Sequence, residues 1–310
     1  MSNLILPYRP LPPEGTGVLA TRLDDVLARL PGLGIRLNPA SRLPQAARLL
    51  RSVEEANAYP SSEPDLLRVA NAVKAAFNFV RVIDAIRSPG PPGMLESLRR
   101  AAKGTLDDAG PTPAHRAQSE LFFGVATVAG GAKTGAPKPG GRKTPDFVTE
   151  VDTLRYSVEV KRPGSVNTVQ DKVAEAVRQI RGYKPYPGLV ALDFSDLLPD
   201  VFGIRYVPTA ESRNQQAFRA AYNLAREYVI RHSSEAGYSR VALLICFAES
   251  FLWTTPNPYP VPHSAFMLYA EVFLRASEGL IVDQSRKLRV NIVRGFKEMG
   301  GHIRRLVRVP

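Results

Sequence analysis

The stretch that most constrains this chain runs Thr144-Pro-Asp-Phe-Val-Thr-Glu-Val-Asp-Thr-Leu-Arg-Tyr-Ser-Val-Glu-Val-Lys161. In its second half Leu154, Tyr156, Val158 and Val160 alternate with Arg155, Ser157, Glu159 and Lys161. A period of two predicts a half-buried strand with one apolar and one polar face. Glu159 and Lys161 therefore project from the same face. The polar segment from Glu150 to Thr153 predicts a turn, so the whole stretch reads as a β-hairpin. With the turn centred between Asp152 and Thr153, Asp146 falls opposite Glu159. Like charges facing each other across a ladder are unfavourable, and a divalent cation between them removes that penalty.

A chain of 310 residues that is 44% hydrophobic and 23% charged has the material for a substantial core. The apolar run from Val241 to Ala248 is too short to cross a bilayer, so no membrane association is expected. Residues Met1 to Tyr8 lack the basic segment and long apolar core of a secretory signal. The single cysteine, Cys246, lies inside that apolar run and excludes an internal disulfide, which fits a cytoplasmic protein. The net charge is +12, divided as +3 over residues 1–110, +4 over 111–250 and +5 over 251–310. A positive excess spread along the chain favours a polyanionic partner.

Residues 1–110 read as a helical accessory region that offers a surface for a protein partner. Val18, Leu19, Leu23, Val26, Leu27 and Leu30 form one helical stripe, closed by Pro31-Gly-Leu-Gly34. A second helix is expected from Pro44 to Asn57. Ser62-Glu-Pro-Asp65 has the form of a capping box opening a third helix towards Arg87, and a short fourth covers Met94 to Lys103. From His115 a further helix carries Glu120, and a Gly/Pro-rich basic loop follows with Lys133, Lys138, Arg142 and Lys143. That loop suits a phosphate backbone. After the hairpin, Thr168-Val-Gln-Asp171 predicts the cap of a helix with core stripe Val169, Val173, Ala176, Val177 and Ile180. Buried strands are expected at Leu189–Phe194 and Arg240–Phe247, with a helix at Glu211–Arg231 between them. This order makes residues 111–250 an α/β core, a mixed central sheet with helices on both faces. Residues 251–310 read as a basic extension packed on that core, with a helix from Phe266 to Ala276.

Pro145-Asp146, a spacer and Glu159-Val160-Lys161 together resemble the PD-(D/E)XK motif of restriction-endonuclease-like nucleases. Gln179-Ile-Arg-Gly-Tyr183 is similar to the Q-x-x-x-Y element of that superfamily's RecB-like and lambda-exonuclease-like branch. The resemblance covers roughly residues 113–194. It implies a restriction-endonuclease-like core and a Mg²⁺-dependent phosphodiesterase acting on DNA, in a defence, restriction or repair setting, with RNA as the other nucleic-acid partner. It also implies that Gln179 and Tyr183 position the substrate strand or the lysine.

The residues suit that chemistry independently. Asp146, Glu159, the Val160 carbonyl and Glu120 offer hard oxygen ligands appropriate to Mg²⁺ or Mn²⁺, and there is no Cys/His cluster for zinc. Lys161 beside such a cation would orient the attacking water or stabilise charge on phosphorus. The competing reading is a nuclease-like fold that binds nucleic acid or protein without cleaving.

Overall fold

A computed structural model of the chain describes residues 2–10, 13–85, 92–106, 112–135, 144–183, 186–198, 201–204, 207–235, 237–254, 261–273 and 279–306. In chain order its elements are β1 (Ser2–Pro10), α1 (Pro13–Arg29), α2 (Arg42–Ala56), α3 (Glu63–Ala85), α4 (Pro92–Ala102) and α5 (Pro113–Ala129). Then come β2 (Lys133–Gly135), β3 (Phe147–Val151), β4 (Leu154–Lys161), α6 (Val169–Gly182), β5 (Gly188–Asp193) and β6 (Val201–Ile204). The last four are α7 (Val207–Arg231), β7 (Val241–Thr254), β8 (Val261–Val272) and α8 (Gly279–Leu306). The strands form one mixed sheet in the order β1-β8-β7-β5-β4-β3-β2, and β6 pairs with β7 beyond the end of β5.

The middle of the sheet is parallel. On β5, Leu189 and Ala191 enter the core on one face, and Val190 and Leu192 enter the core on the other. Apolar residues in both phases are what a strand covered on both sides requires. The crossovers β4-α6-β5 and β5-α7-β7 advance across the sheet in the same direction. Right-handed connections therefore put α6 and α7 on one face, where they pack with Val190, Leu244 and Cys246. The opposite face carries α5 and α8, and helices α1 to α4 extend the same apolar core. At the crossing of α5 and α8, a Cβ on Gly130 would collide with the Asn291 carbonyl, and one on Gly295 with the Ala126 carbonyl. Only glycine permits that approach of two backbones.

Several local expectations need correction. Residues 266–272 are strand and not helix: β8 pairs antiparallel with β7 from Leu243–Val272 to Thr254–Val261. Phe266, Leu268 and Ala270 face one core while Met267 faces the other. An apolar run buried on both sides looks the same at either period, and the long open edge of β7 decides the outcome. Beyond β8 lies β1, an unanticipated outer strand in which Pro7 and Pro10 fall at the sheet edge. Val18 leaves the expected stripe of α1 and is 46% exposed, whereas Leu19, Leu23, Val26 and Leu30 are buried.

Capping is confirmed in one place and displaced in another. Ser62 opens α3 as expected, its hydroxyl accepting the Asp65 N–H at 3.3 Å. Thr168 does not cap α6. Its hydroxyl accepts the Ser165 N–H at 3.2 Å, closing a capping box on the 3-10 turn that precedes the helix. Among the described residues no helix is long and apolar enough to cross a membrane.

Candidate functional site

The hairpin has the expected register. β3 and β4 pair from Phe147–Val158 to Val151–Leu154, leaving Asp152 and Thr153 as the turn. Asp152 takes φ 52°, a left-handed conformation that aspartate tolerates better than most residues. One step further along the ladder brings Asp146 opposite Glu159. Asp146 Oδ2 accepts the Val160 N–H at 2.8 Å, so the carboxylate is tied to the partner strand. The Lys161 ammonium donates to Glu159 Oε2 at 2.6 Å and lies 3.9 Å from Asp146 Oδ2.

The middle of the polar face of β4 is not in solvent as the alternation predicts, although Arg155 at its start is exposed. Ser157 and Glu159 are both fully buried, because α6 covers that face. Burial dominates the electrostatics. Burial, helped by the nearby Asp146 charge, pushes the Glu159 carboxyl up to about 8 against the opposing pull of Lys161. Burial also raises Asp146, outweighing Lys161 and the Val160 N–H, which favour its charged form. For Lys161, burial works against the ammonium, but Asp146, Glu159 and Glu175 outweigh it and the net shift is upward. Lys161 is thus a cation at neutral pH.

Glu120 reaches the cluster from α5. Its Oε2 accepts Ser97 Oγ at 3.0 Å and an Arg100 N–H at 2.7 Å, both from α4. Burial raises its carboxyl, and Asp146 adds to the effect. Glu175, on α6, places Oε1 3.9 Å from Lys161 Nζ and is held below the usual carboxylate range, burial being outweighed by Lys172, Lys161 and Arg116. Sequence reasoning missed Glu175 and Arg100. The signal for Glu175 was its place four residues before Gln179, on the same face of the helix. Nothing in the sequence pointed to Arg100, whose position depends on how α4 packs on α5.

Asp146, Glu159, Lys161 and Glu120 therefore come together, and the remaining candidates separate from them. Gln179 lies one turn after Glu175, its Oε1 buried without a hydrogen-bond partner. Tyr183, another turn on, lines a different hollow with Glu150, Arg155, Lys133 and Tyr186. Lys133 belongs to β2, a short edge strand inside what read as a loop, and its Nζ is 3.9 Å from Glu150. Lys138, Arg142 and Lys143 lie outside the described residues.

Beside the cluster, at the carboxyl ends of β4 and β5, a second network surrounds Arg162. Its guanidinium donates to both Asp196 oxygens at 2.8 and 2.6 Å and to Asp193 at 3.2 Å. This fork stiffens the strand end immediately after Lys161. It forms one wall of a cavity of about 340 Å³ that His115 also lines, so His115 sits on this side.

The fit of a divalent cation can be tested on the donor set. Among the described residues no three of His, Cys, Asp and Glu are already gathered as ligands. Mg²⁺ needs fewer, since it retains several waters and uses one or two carboxylates. Glu159 Oε1 is buried with no hydrogen-bond partner, and two repelling carboxylates with one orphaned oxygen fit a hard cation.

What the fold defines is an α/β protein: a mixed sheet flanked by helices. Comparison with protein-family models finds no match, and comparisons with curated proteins and with solved structures find none either.

Proposed function

We propose that the chain is a metal-dependent nuclease of the PD-(D/E)XK type, hydrolysing phosphodiester bonds in DNA. The observation that carries this reading is the joining of Asp146 to the Glu159-Val160-Lys161 strand by the 2.8 Å hydrogen bond, with Glu159 Oε1 left unpartnered. Asp146, Glu159 and the Val160 carbonyl would hold Mg²⁺ or Mn²⁺, with Glu120 nearby. The cation would supply Lewis-acid activation of the phosphoryl group and of water.

The chain's own groups have separable parts in that chemistry. Lys161 keeps its proton at Nζ, so it stabilises negative charge on a phosphoryl oxygen and does not act as a base. Asp146 orients the strand that carries Lys161 through the Val160 N–H. Arg100 and Ser97 hold the Glu120 carboxylate towards Asp146. Glu159 retains a proton to about pH 8 until a cation takes its place.

A binding module without catalysis is the second reading. It is favoured by Lys161, whose ammonium already occupies Glu159 Oε2 at 2.6 Å and lies 3.9 Å from Asp146, placing a cation among the acids without a metal. Incubating the protein with plasmid and linear DNA in Mg²⁺, Mn²⁺ or EDTA separates the two. Cleavage is expected only with metal and is expected to vanish in Asp146→Ala, Glu159→Ala and Lys161→Ala. Equal cleavage by those variants overturns the site; DNA binding with no cleavage under any condition supports the second reading.

A further inference from the structure

We infer that a shallow track over β3 seats a single nucleic-acid strand, with Tyr183, Tyr186 and Arg155 forming the pocket for one unpaired base. The inference rests on the nuclease reading and adds to it the form of the substrate. Asp146, Val148 and Glu150 share one face at the β3 end of the hairpin, and all three are partly exposed. Four residues of strand at roughly 3.3 Å each put Glu150 about 13 Å from Asp146.

The track has two walls. One is α6, whose Glu175 and Gln179 fall on one face four residues apart, with Tyr183 just past its end beside Glu150 and Arg155 near the hairpin turn. The other is the edge strand β2, where Gly135 pairs with Val148 and Lys133 with Glu150. Gly135 has no side chain to fill the floor, and the Lys133 side chain is 87% exposed. The unpartnered Gln179 Oε1 is an orphaned buried acceptor on the first wall, midway between the carboxylates and Tyr183.

At the far end the hollow measures about 270 Å³ and is lined by Tyr183, Tyr186, Arg155, Glu150 and Lys133. The two tyrosine rings are 6.1 Å apart and tilted by 47°. Rings meeting at that angle leave no parallel slot between them, so a base stacks on one ring and abuts the other. Arg155 donates from Nε to Glu150 at 2.8 Å and from Nη1 to the Tyr186 hydroxyl at 3.4 Å, so its guanidinium is tied at two points. Aromatic rings with a guanidinium fixed at a hydroxyl edge offer stacking and positive charge to an unpaired base without reading sequence. Lys133 stands where it can meet the adjoining phosphate. At roughly 3.4 Å per stacked nucleotide, 13 Å spans about four nucleotides, so the seated base belongs to the strand that reaches the carboxylates. A duplex does not fit a hollow of this size.

The test is fluorescence anisotropy of labelled single-stranded and blunt duplex oligonucleotides with the full chain in EDTA, where no cleavage is expected. Tyr183→Ala/Tyr186→Ala is expected to weaken single-strand binding about ten- to hundredfold, the usual range for losing base stacking. Tyr183→Phe/Tyr186→Phe keeps the rings and is expected to stay within about threefold of wild type. Arg155→Ala is expected to weaken the single strand more than the duplex. Wild-type affinity in the alanine pair, or equal loss in the phenylalanine pair, overturns the base pocket. Metal-dependent cleavage by the wild-type protein alongside either of those results would retire the pocket and leave the nuclease reading standing. Ring-dependent binding without cleavage would do the reverse.

Discussion

Replacing Glu159 with glutamine keeps the side-chain shape and removes a titratable group from a position with no solvent contact. In the fold Glu159 holds its proton to about 8, against 4.5 for a free carboxyl. Below pH 4.5 both folded and unfolded chains carry the proton, and the group's contribution to stability is fully present. Above 4.5 the unfolded chain ionises while the folded one does not, so stability falls with rising pH and levels off past about 8. At about 1.4 kcal/mol per pH unit, the interval from pH 6 to 9 costs about 3 kcal/mol, nearly all of it below 8. Glu159→Gln lacks this dependence and can still accept the Lys161 hydrogen bond. Urea denaturation of both proteins from pH 6 to 9 in EDTA measures it. The wild type is expected to lose about 3 kcal/mol more than the variant across that range. Parallel stability curves would show that Glu159 is ionised in the fold and would refute the electrostatic account of the site.

Three further outcomes are expected. Mg²⁺ or Mn²⁺ must displace the Glu159 proton, so affinity measured by calorimetry should tighten about tenfold per pH unit below 8 and then flatten. A pH-independent affinity, or one unchanged in Asp146→Asn, would count against the proposed ligands. Arg162→Ala leaves Asp193 and Asp196 without their shared cation, and a loss of about 3–5 kcal/mol is expected in urea melts. A loss under about 1 kcal/mol would mean the network is not structural. Gly130→Ala forces a methyl group into the Asn291 carbonyl, and a loss of about 1–3 kcal/mol or more follows; an unchanged melt would mean that α5 and α8 do not touch there.

The hairpin was legible in the sequence because every cue for it is local. Alternation from Leu154 to Lys161, a two-residue turn at Asp152-Thr153 and the count back to Asp146 together set the register, and the ladder matches it. The apolar runs at 189–194 and 241–247 likewise carried their own evidence, as did the stripe of α6. Two-sided burial was harder to see. From Phe266 to Val272 the residues satisfy both periods, and only the vacant edge of β7 makes them strand. Residues 2–10 become strand for the same reason, by completing the other side of β8.

The pairing of the carboxylates at 146 and 159 follows from the sequence once the turn is set at Asp152-Thr153, a placement that the ladder supplies. Their burial does not, because it requires α6 to return over β4; that burial sets the Glu159 proton, while Asp146, Glu159 and Glu175 keep Lys161 charged against it. Glu120 was placed correctly on its helix, but its hold by Ser97 and Arg100 belongs to the packing of α4 on α5. Tyr183 was linked to the acids only by the resemblance of Gln179-Ile-Arg-Gly-Tyr183 to the Q-x-x-x-Y element; in three dimensions it follows the end of α6 and lines a hollow with Arg155. Short-range periodicity determines which residues share a face. Which faces are covered, and so which groups hold protons, is decided by contacts between elements far apart in the chain.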